Sequence, residues 1–302
     1  MTPPAAPVFH RLTGLYEPSA IVQLPDGRFL VAEDEKRHPF TLLRLLPEGG
    51  IETTPLLPPD AGDEGWKFDD LEGLTLDTVG RVCAITSHSL SGDGEEKKAR
   101  SKLLRFAVAG DRAEALTVCR ELKPALTAVH PVLAAAAGVP DVKAQGGLNI
   151  EALEFSADGR ALLLGLRSPQ WEGQALIACL ENPEAVFSGG VAPRFAPALQ
   201  RLDLGGHGIR ALSWVPALAG YLLVSGPAAR EGAPFLLWFW EGRGAARPVS
   251  VPGLPGFEHA EGVCPALLDG QPRLLIVSDD GDRKARRPAR YLLLDTAQLR
   301  IG

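Results

Sequence analysis

Residues 70–81 read DLEGLTLDTVGR: a glutamate, Glu72, heads an apolar, strand-like run that ends in an Asp-Thr-Val-Gly-Arg turn. A charged residue at the head of a strand that must be buried needs a reason. Four other stretches share the pattern: PSAIVQLPDGRFLVAEDE from Pro18, NIEALEFSADGRALLLGLRS from Asn149, GIRALSWVPALAGYLLVSGP from Gly208 and AEGVCPALLDGQPRLLIVSDD from Ala260. In each, a short apolar strand meets a turn, usually Asp-Gly-Arg or a glycine-containing variant, and a more hydrophobic strand follows. Each copy therefore reads as a β-hairpin.

The equivalent first-strand residues are Ser19, Glu72, Glu151, Arg210 and Glu261, at steps of 53, 79, 59 and 51 residues. Two further candidate strands follow each hairpin, such as TLLRLLP and IETTPLL after the first and KLLRFAV and ALTVCREL after the second. Four strands at this spacing make a propeller blade, so the fold class is all-β, a five-bladed β-propeller. The blades fall at 16–58, 68–123, 147–204, 207–254 and 258–297. The fifth has a third strand, ARYLLLD, but no clear fourth. PVFHRLTGL at residues 7–15 can supply it and close the ring, which removes an exposed sheet edge. ELKPALTAVHPVLAAAAGVPDV, rich in Ala and Leu, predicts a short helical insertion over 124–146 interrupted at Pro131. A six-bladed alternative would need this segment to form strands, against its alanine content.

With 302 residues, 45% hydrophobic and 23% charged, the chain is long enough for a sizeable core and has the composition of an ordered globular protein. Its net charge of −6 argues against a general nucleic-acid or anionic-membrane surface. No apolar run has membrane-spanning length and MTPPAAPVFHRL lacks a signal-peptide profile, so the expected location is the cytoplasm. Cys83, Cys119, Cys179 and Cys264 are far apart in apolar contexts without a CxxC pair, and read as buried reduced thiols.

First strands of a propeller line its central channel, so Ser19, Glu72, Glu151, Arg210 and Glu261 are expected to converge near one mouth. The second strands run back to the same mouth, where they end in Glu33 and Asp34, Ser87 and His88, Arg167 and Ser168, Ser225, and Asp279 and Asp280. Three carboxylates about 6 Å apart would repel by roughly 3 kcal/mol per pair at an effective dielectric near 20. Raised pKa values, Arg210 as an internal counter-ion, or a bound hard cation could each answer this. The all-oxygen donor set of Ser19, Glu72, Glu151 and Glu261 suits Ca²⁺, with Mg²⁺ as the alternative, while Arg210 could make a metal unnecessary. Acids that only help blade packing are the plainer reading.

The loops EDEKRHP, SHSLSGDGEEKKARS, RSPQWEG, GPAAREGAP and SDDGDRKARRPA open onto this mouth and are rich in charge, as binding loops on a rigid scaffold are. His88 or Asp34 could act as general base, and Arg167, Arg210, Lys97 and Lys98 could hold an anion such as phosphate. There is no dinucleotide fingerprint, Walker loop, GxSxG elbow or HExxH motif.

The hairpin motifs quoted above, with GGLNIEALEF, LDLGGHGIRALSWVP and HAEGV, resemble the bacterial domain of unknown function 3616 family over nearly the whole chain, a resemblance that implies a propeller and no activity. The series Ser19, Glu72, Glu151, Arg210, Glu261 is also similar to the Ser, Glu, Glu, Ser, Glu ring that holds Ca²⁺ in the calcium-activated nucleotidases (apyrases), which are five-bladed propellers. Arg210 departs from that ring. The EGL pattern resembles, in addition, the esterase-like domains related to phytase. The leading expectation is a propeller with a central divalent-cation and anion site, a metal-dependent phosphoester hydrolase if it is an enzyme, acting on a small anionic ligand. The alternatives are a non-catalytic scaffold for a protein partner, and a Ca²⁺-dependent lactonase or esterase.

Overall fold

A computed structural model describes residues 7–34, 38–47, 50–59, 64–140, 145–229, 234–257 and 259–302. The chain enters as β1 (Phe9–Arg11) and then forms successive antiparallel sheets. Blade 1 holds β2 (Pro18–Gln23), β3 (Phe29–Glu33), β4 (Phe40–Leu45) and β5 (Ile51–Pro55). Blade 2 holds β6 (Leu71–Leu76), β7 (Val82–Thr86), β8 (Leu103–Ala109) and β9 (Arg112–Cys119). Helices α1 (Leu122–Val129) and α2 (Pro131–Ala137) precede blade 3, made of β10 (Asn149–Phe155), β11 (Leu162–Ser168), β12 (Ala175–Leu180), then α3 (Pro183–Gly189) and β13 (Gln200–Leu202). Blade 4 holds β14 (Gly208–Val215), β15 (Gly220–Gly226), β16 (Leu236–Trp240) and β17 (Arg247–Ser250), and blade 5 holds β18 (Ala260–Leu268), β19 (Gln271–Ser278) and β20 (Arg290–Asp295). The innermost strands β2, β6, β10, β14 and β18 pack in a closed ring. The protein is therefore a five-bladed β-propeller, and the segment that six blades would have needed is helical.

Local chemistry accounts for the hairpins. In the first and third copies the aspartate carboxylate accepts a hydrogen bond from the arginine N–H two residues on, Arg28 to Asp26 at 3.0 Å and Arg160 to Asp158 at 3.1 Å. The glycine between them sits at φ +87° or +71°, a conformation that disfavours any Cβ. The second strand of each of the first four blades is buried from end to end, because it has a neighbouring blade on both faces. That burial explains why these strands read as unbroken apolar runs rather than alternating ones.

Five apolar clusters fill the five seams between adjacent blades. The seam between blades 2 and 3 is enlarged by α1 and α2, which contribute Leu122, Leu126 and Leu133, all fully buried. Each such leucine stabilises the fold by about 1.5–3 kcal/mol. Near the far end of the channel Glu154 ties three blades together. Its carboxylate accepts from Thr75 Oγ1 (2.5 Å), Ser213 Oγ (3.1 Å) and the N–H of Trp214 (2.9 Å).

Closure is made by the N-terminal strand. β1 pairs with β20, Phe9 opposite Leu292 and Arg11 opposite Arg290, as the fourth strand of blade 5. Leu12 and Leu15, just after it, are fully buried in the seam between blades 5 and 1. A two-residue β21 (Arg300–Ile301) adds a fifth strand to blade 4 by pairing with β17, a strand too short to leave a sequence pattern. The helical insertion starts at Leu122, two residues before the expected boundary, and α3 interrupts a stretch of blade 3 in which the sequence predicted only strands. Pro183 opens α3, where a missing N–H costs nothing, and Gly190 in the left-handed conformation ends it. All four cysteines are free, three buried and Cys179 partly so.

Deleting residues 1–15 should remove the closing strand and two buried leucines, and lower the thermal unfolding midpoint far more than deleting residues 300–302. Comparable losses in the two truncations, measured by differential scanning calorimetry, would contradict closure by the N-terminal strand.

Candidate functional site

The pairing register is interrupted at the same place in every innermost strand, and β10 carries one further shift, between Asn149 and Ile150. The interruptions lie between Pro18 and Ala20, Leu71 and Gly73, Ile150 and Ala152, Ile209 and Ala211, and Ala260 and Gly262. The residues skipped are Ser19, Glu72, Glu151, Arg210 and Glu261. A β-bulge leaves one residue outside the ladder and re-aims its side chain, so five bulges set all five ring residues apart from their strands. The residue after each bulge is Ala or Gly (Ala20, Gly73, Ala152, Ala211, Gly262), and these line a constriction of only about 20 Å³ below the ring. A Cβ on Gly73 would lie 2.9 Å from the Leu153 Cβ of the next blade, so the strands are too close for a larger residue there.

Within the ring Arg210 grips two acids. Its Nε donates to Glu261 Oε2 at 2.9 Å and its Nη2 to Glu261 Oε1, and its Nη1 lies 3.0 Å from Glu151 Oε2. The Nη1 contact is a close ion pair without hydrogen-bond alignment, since both of its atoms lack a hydrogen-bond partner. The guanidinium also lies over the Phe235 ring. On its other side Glu151 Oε1 accepts from Arg167 Nη1 (3.1 Å) and from Asn149 Nδ2 (2.8 Å), and Arg167 Nε is anchored on the Pro227 carbonyl. Ser19 Oγ donates to the Leu71 carbonyl at 2.6 Å and so bridges blades 1 and 2. Glu72 makes no hydrogen bond or ion pair with the described residues. Two arginines thus face three glutamates. Burial pushes the Glu72 carboxyl well up, and the charges of Glu151, Asp70 and Glu261 push it further. Burial opposes the charge on Arg210, but Glu151 and Glu261 outweigh it and raise its pKa.

Above the ring a cavity of about 550 Å³ opens, with Glu72, Glu151, Asn149 and Arg167 at its wall together with Asp34, Asp70 and Arg100. Arg100 is held by Asp69 (3.2 Å) and Asp70 (3.0 Å). Burial raises the pKa of Asp34, and the Asp70 charge adds to it. The Asn149 Oδ1 is buried without a hydrogen-bond partner among the described residues. Asp279, on blade 5, is pushed up to about 6 by burial and by Glu17.

The structure thus brings together Glu72, Glu151, Arg167 and Asp34 at one cavity and joins Arg210 and Glu261 to Glu151 beneath it. It does not bring His88 there. The His88 imidazole is fully buried, has neither nitrogen hydrogen-bonded among the described residues, and is held neutral because burial and Lys123 lower its pKa to about 3. Lys97 and Lys98 line a different hollow. Residues 35–37 of EDEKRHP and 230–233 of GPAAREGAP lie outside the described residues. Asn149, Asp70 and Arg100 were missed by sequence reasoning. Asn149 and Asp70 each stand two positions before a ring glutamate, a spacing visible only once the bulges define the ring.

A central Ca²⁺ would need the carboxylates that Arg210 and Arg167 hold. Both oxygens of Glu261 and both of Glu151 face guanidinium groups, and Ser19 points its proton at a carbonyl. Among the described residues no group of three or more His, Cys, Asp or Glu side chains is arranged to hold a metal ion. The residues present therefore do not fit a Ca²⁺ or Mg²⁺ ion at the ring, and the internal counter-ion is Arg210.

No family model matches the chain, and no curated protein matches it, so the likeness to the domain of unknown function 3616 family rests on the quoted motifs. Solved structures with a similar fold include a provisionally assigned oxidoreductase (glucose dehydrogenase) from Thermus thermophilus, 17% identical with a TM-score of 0.48, covering 95% of this chain and 100% of that one. The PQQ-bound aldose sugar dehydrogenase of Streptomyces coelicolor is 16% identical with a TM-score of 0.45, covering 97% and 99%. A provisionally assigned gluconolactonase is 11% identical with a TM-score of 0.48, covering 99% and 94%. No residue role is carried over from them. Among the described residues no helix is long and apolar enough to cross a membrane.

Two outcomes follow from the ring. Arg210→Met leaves two buried acids without their shared cation, and should cost about 3–5 kcal/mol in denaturant unfolding. Glu72 holds its proton in the folded state at pH values where the unfolded chain has lost it. Its contribution to stability is therefore greatest below the unfolded value of about 4.3 and falls as pH rises toward the raised folded value. Glu72→Gln should abolish that slope, raising the midpoint relative to the parent more at pH 8 than at pH 4; an equal effect at both would contradict the protonated Glu72.

Proposed function

We propose that the protein binds a small, neutral, oxygen-rich molecule in the mouth cavity and hydrolyses an ester or lactone bond in it. The observation that carries this reading is Glu72: a carboxyl at the floor of a ligand-sized cavity, with no partner among the described residues and a pKa raised by burial. Such a group keeps its proton to higher pH than an ordinary glutamate and can give it to a leaving alkoxide. Asp34, at the same cavity, also has a raised pKa, which makes it the stronger base toward water. Arg167 is fixed from two sides by Glu151 and the Pro227 carbonyl, and presents a preorganised cation to developing negative charge.

In the proposed reaction a water oxygen attacks the carbonyl carbon while its proton passes to Asp34. The oxyanion forms against Arg167. The acyl C–O bond then breaks, and the leaving oxygen takes the Glu72 proton. The products are an acid and an alcohol, or one hydroxy acid from a lactone. Exchange with solvent returns a proton from Asp34 and restores the one on Glu72.

The cavity wall argues against the phosphoester reading. Among the described residues, Asp34, Asp70, Glu72, Asp93 and Glu151 face two arginines, both of them paired with acids. A dianionic phosphoester would meet repulsion there, whereas a neutral ester would not. Adding Ca²⁺ is not expected to be required, since Glu151 and Glu261 already have cations and Glu72 keeps its proton to higher pH than an ordinary glutamate.

The test is a substrate panel of sugar lactones, neutral carboxylic esters and phosphomonoesters, each with EDTA and with added Ca²⁺. Hydrolysis of a lactone or ester in EDTA is expected, with kcat reduced at least about 100-fold in Glu72→Gln. Release of phosphate, or lactone turnover that Glu72→Gln and Asp34→Asn leave unchanged, would overturn the proposal.

A further inference from the structure

Two buried polar atoms on the wall of the mouth cavity have no hydrogen-bond partner among the described residues, Glu151 Oε2 and Asn149 Oδ1. Arg210, 3.0 Å away, answers the first with its charge. Nothing among the described residues answers the second. An unmatched acceptor inside a protein is costly, and native folds largely avoid it.

The local structure keeps that acceptor in place. Asn149 is 4% exposed and opens β10 opposite Ser168, whose hydroxyl donates to the Gly147 carbonyl at 2.5 Å. The next N–H, of Ile150, donates to the Ser87 carbonyl of blade 2 at 2.9 Å. The amide itself cannot turn over, because Nδ2 donates to Glu151 Oε1 at 2.8 Å and a reversed amide would set two acceptors against each other. Oδ1 is therefore the uncommitted atom of a fixed group. Arg167 Nη1 donates to the same Glu151 oxygen at 3.1 Å, so the amide and the guanidinium stand side by side on one carboxylate.

We propose that Asn149 is a specificity-determining residue of the mouth, its Oδ1 accepting a hydrogen bond from a hydroxyl on the carbon next to the ester or lactone carbonyl. The choice of that carbon rests on the hydrolase reading, in which the carbonyl oxygen lies against Arg167; a substituent one carbon away then falls beside Asn149. Only a donor can match Oδ1, and the neighbouring cation of Arg167 favours a neutral hydroxyl over an ammonium. The substrate class is thus the 2-hydroxy esters and lactones. A site that keeps a buried acceptor for one hydroxyl discriminates against a molecule without it, because the acceptor then stays unmatched.

The test is NMR titration of the full chain with γ-butyrolactone, its 2-hydroxy derivative and its 2-methoxy derivative, which retains the oxygen but has no proton to donate, followed by turnover of each. The 2-hydroxy lactone is expected to bind at least about tenfold more tightly than the other two. Asn149→Ala should reduce that preference to about twofold or less, whereas a residue that only steadied Glu151 and Arg167 would weaken all three lactones alike. Asn149→Asp, which keeps an acceptor in the same shape, should retain the preference and serves as the second variant if Asn149→Ala does not fold. Preferential binding without turnover would support Asn149 as the partner of the hydroxyl while removing the hydrolase reading. Turnover of all three lactones with equal affinity would do the reverse. Equal binding of the three by the parent, a preference that Asn149→Ala keeps, or one that Asn149→Asp loses would each overturn the proposal.

Discussion

Five innermost strands converge on an axis so narrow that the constriction measures only about 20 Å³, and the residue after the bulge is Ala or Gly in every blade. Directly above that constriction the same strands bulge, and four of the five bulged residues are charged. Charges held this close in a largely buried ring favour a partner or protonation, since burial weakens the screening that water supplies. Arg210 cancels Glu261 and shares Glu151 with Arg167, and Glu72 remains as the acid without a cation. Much of the mouth chemistry follows from that imbalance of two arginines against three glutamates.

The ring and the fold support one another. Bulges occur where pairing is interrupted, so the ring residues can be charged without disturbing the buried ladders of β3, β7, β11 and β15. In turn, the apolar seams between blades hold the strand starts at separations that let one guanidinium reach two neighbouring blades. Ser19 in the ring and Glu154 at another level of the channel show the same economy: the Ser19 hydroxyl donates to the Leu71 carbonyl and the Glu154 carboxylate accepts from the Trp214 N–H, each joining adjacent blades. Closure by β1 matters for the same reason. An open ring would let the seam between blades 5 and 1 relax, and with it the spacing of Glu261 and Ser19.

Much of this architecture was legible in the chain. The hairpin repeat revealed five blades because its turn residues have strict backbone demands and its second strands are buried on both faces. The equivalence of Ser19, Glu72, Glu151, Arg210 and Glu261 was readable for the same reason, and the five bulges give it a structural meaning. What could not be read was pairing across blades. Nothing in the local sequence says that Arg210 turns toward Glu261, that Arg167 reaches Glu151, or that His88 is buried away from the mouth. Lys97 and Lys98 looked like mouth residues because their loop reaches the mouth, but the loop has two faces and they lie on the other. β21 and α3 escaped notice because a two-residue strand has no period and a seven-residue helix embedded among strands has barely two turns.

The protonation of Glu72 is the point on which the mouth chemistry rests. Selective ¹³C labelling of glutamate carboxyl groups, with the Glu72 resonance assigned through Glu72→Gln, would give its titration directly. The expected midpoint lies well above the ordinary glutamate value of about 4.3. A midpoint at or below that value would mean that Glu72 is an ionised carboxylate, and that some cation other than Arg210 and Arg167 completes the ring.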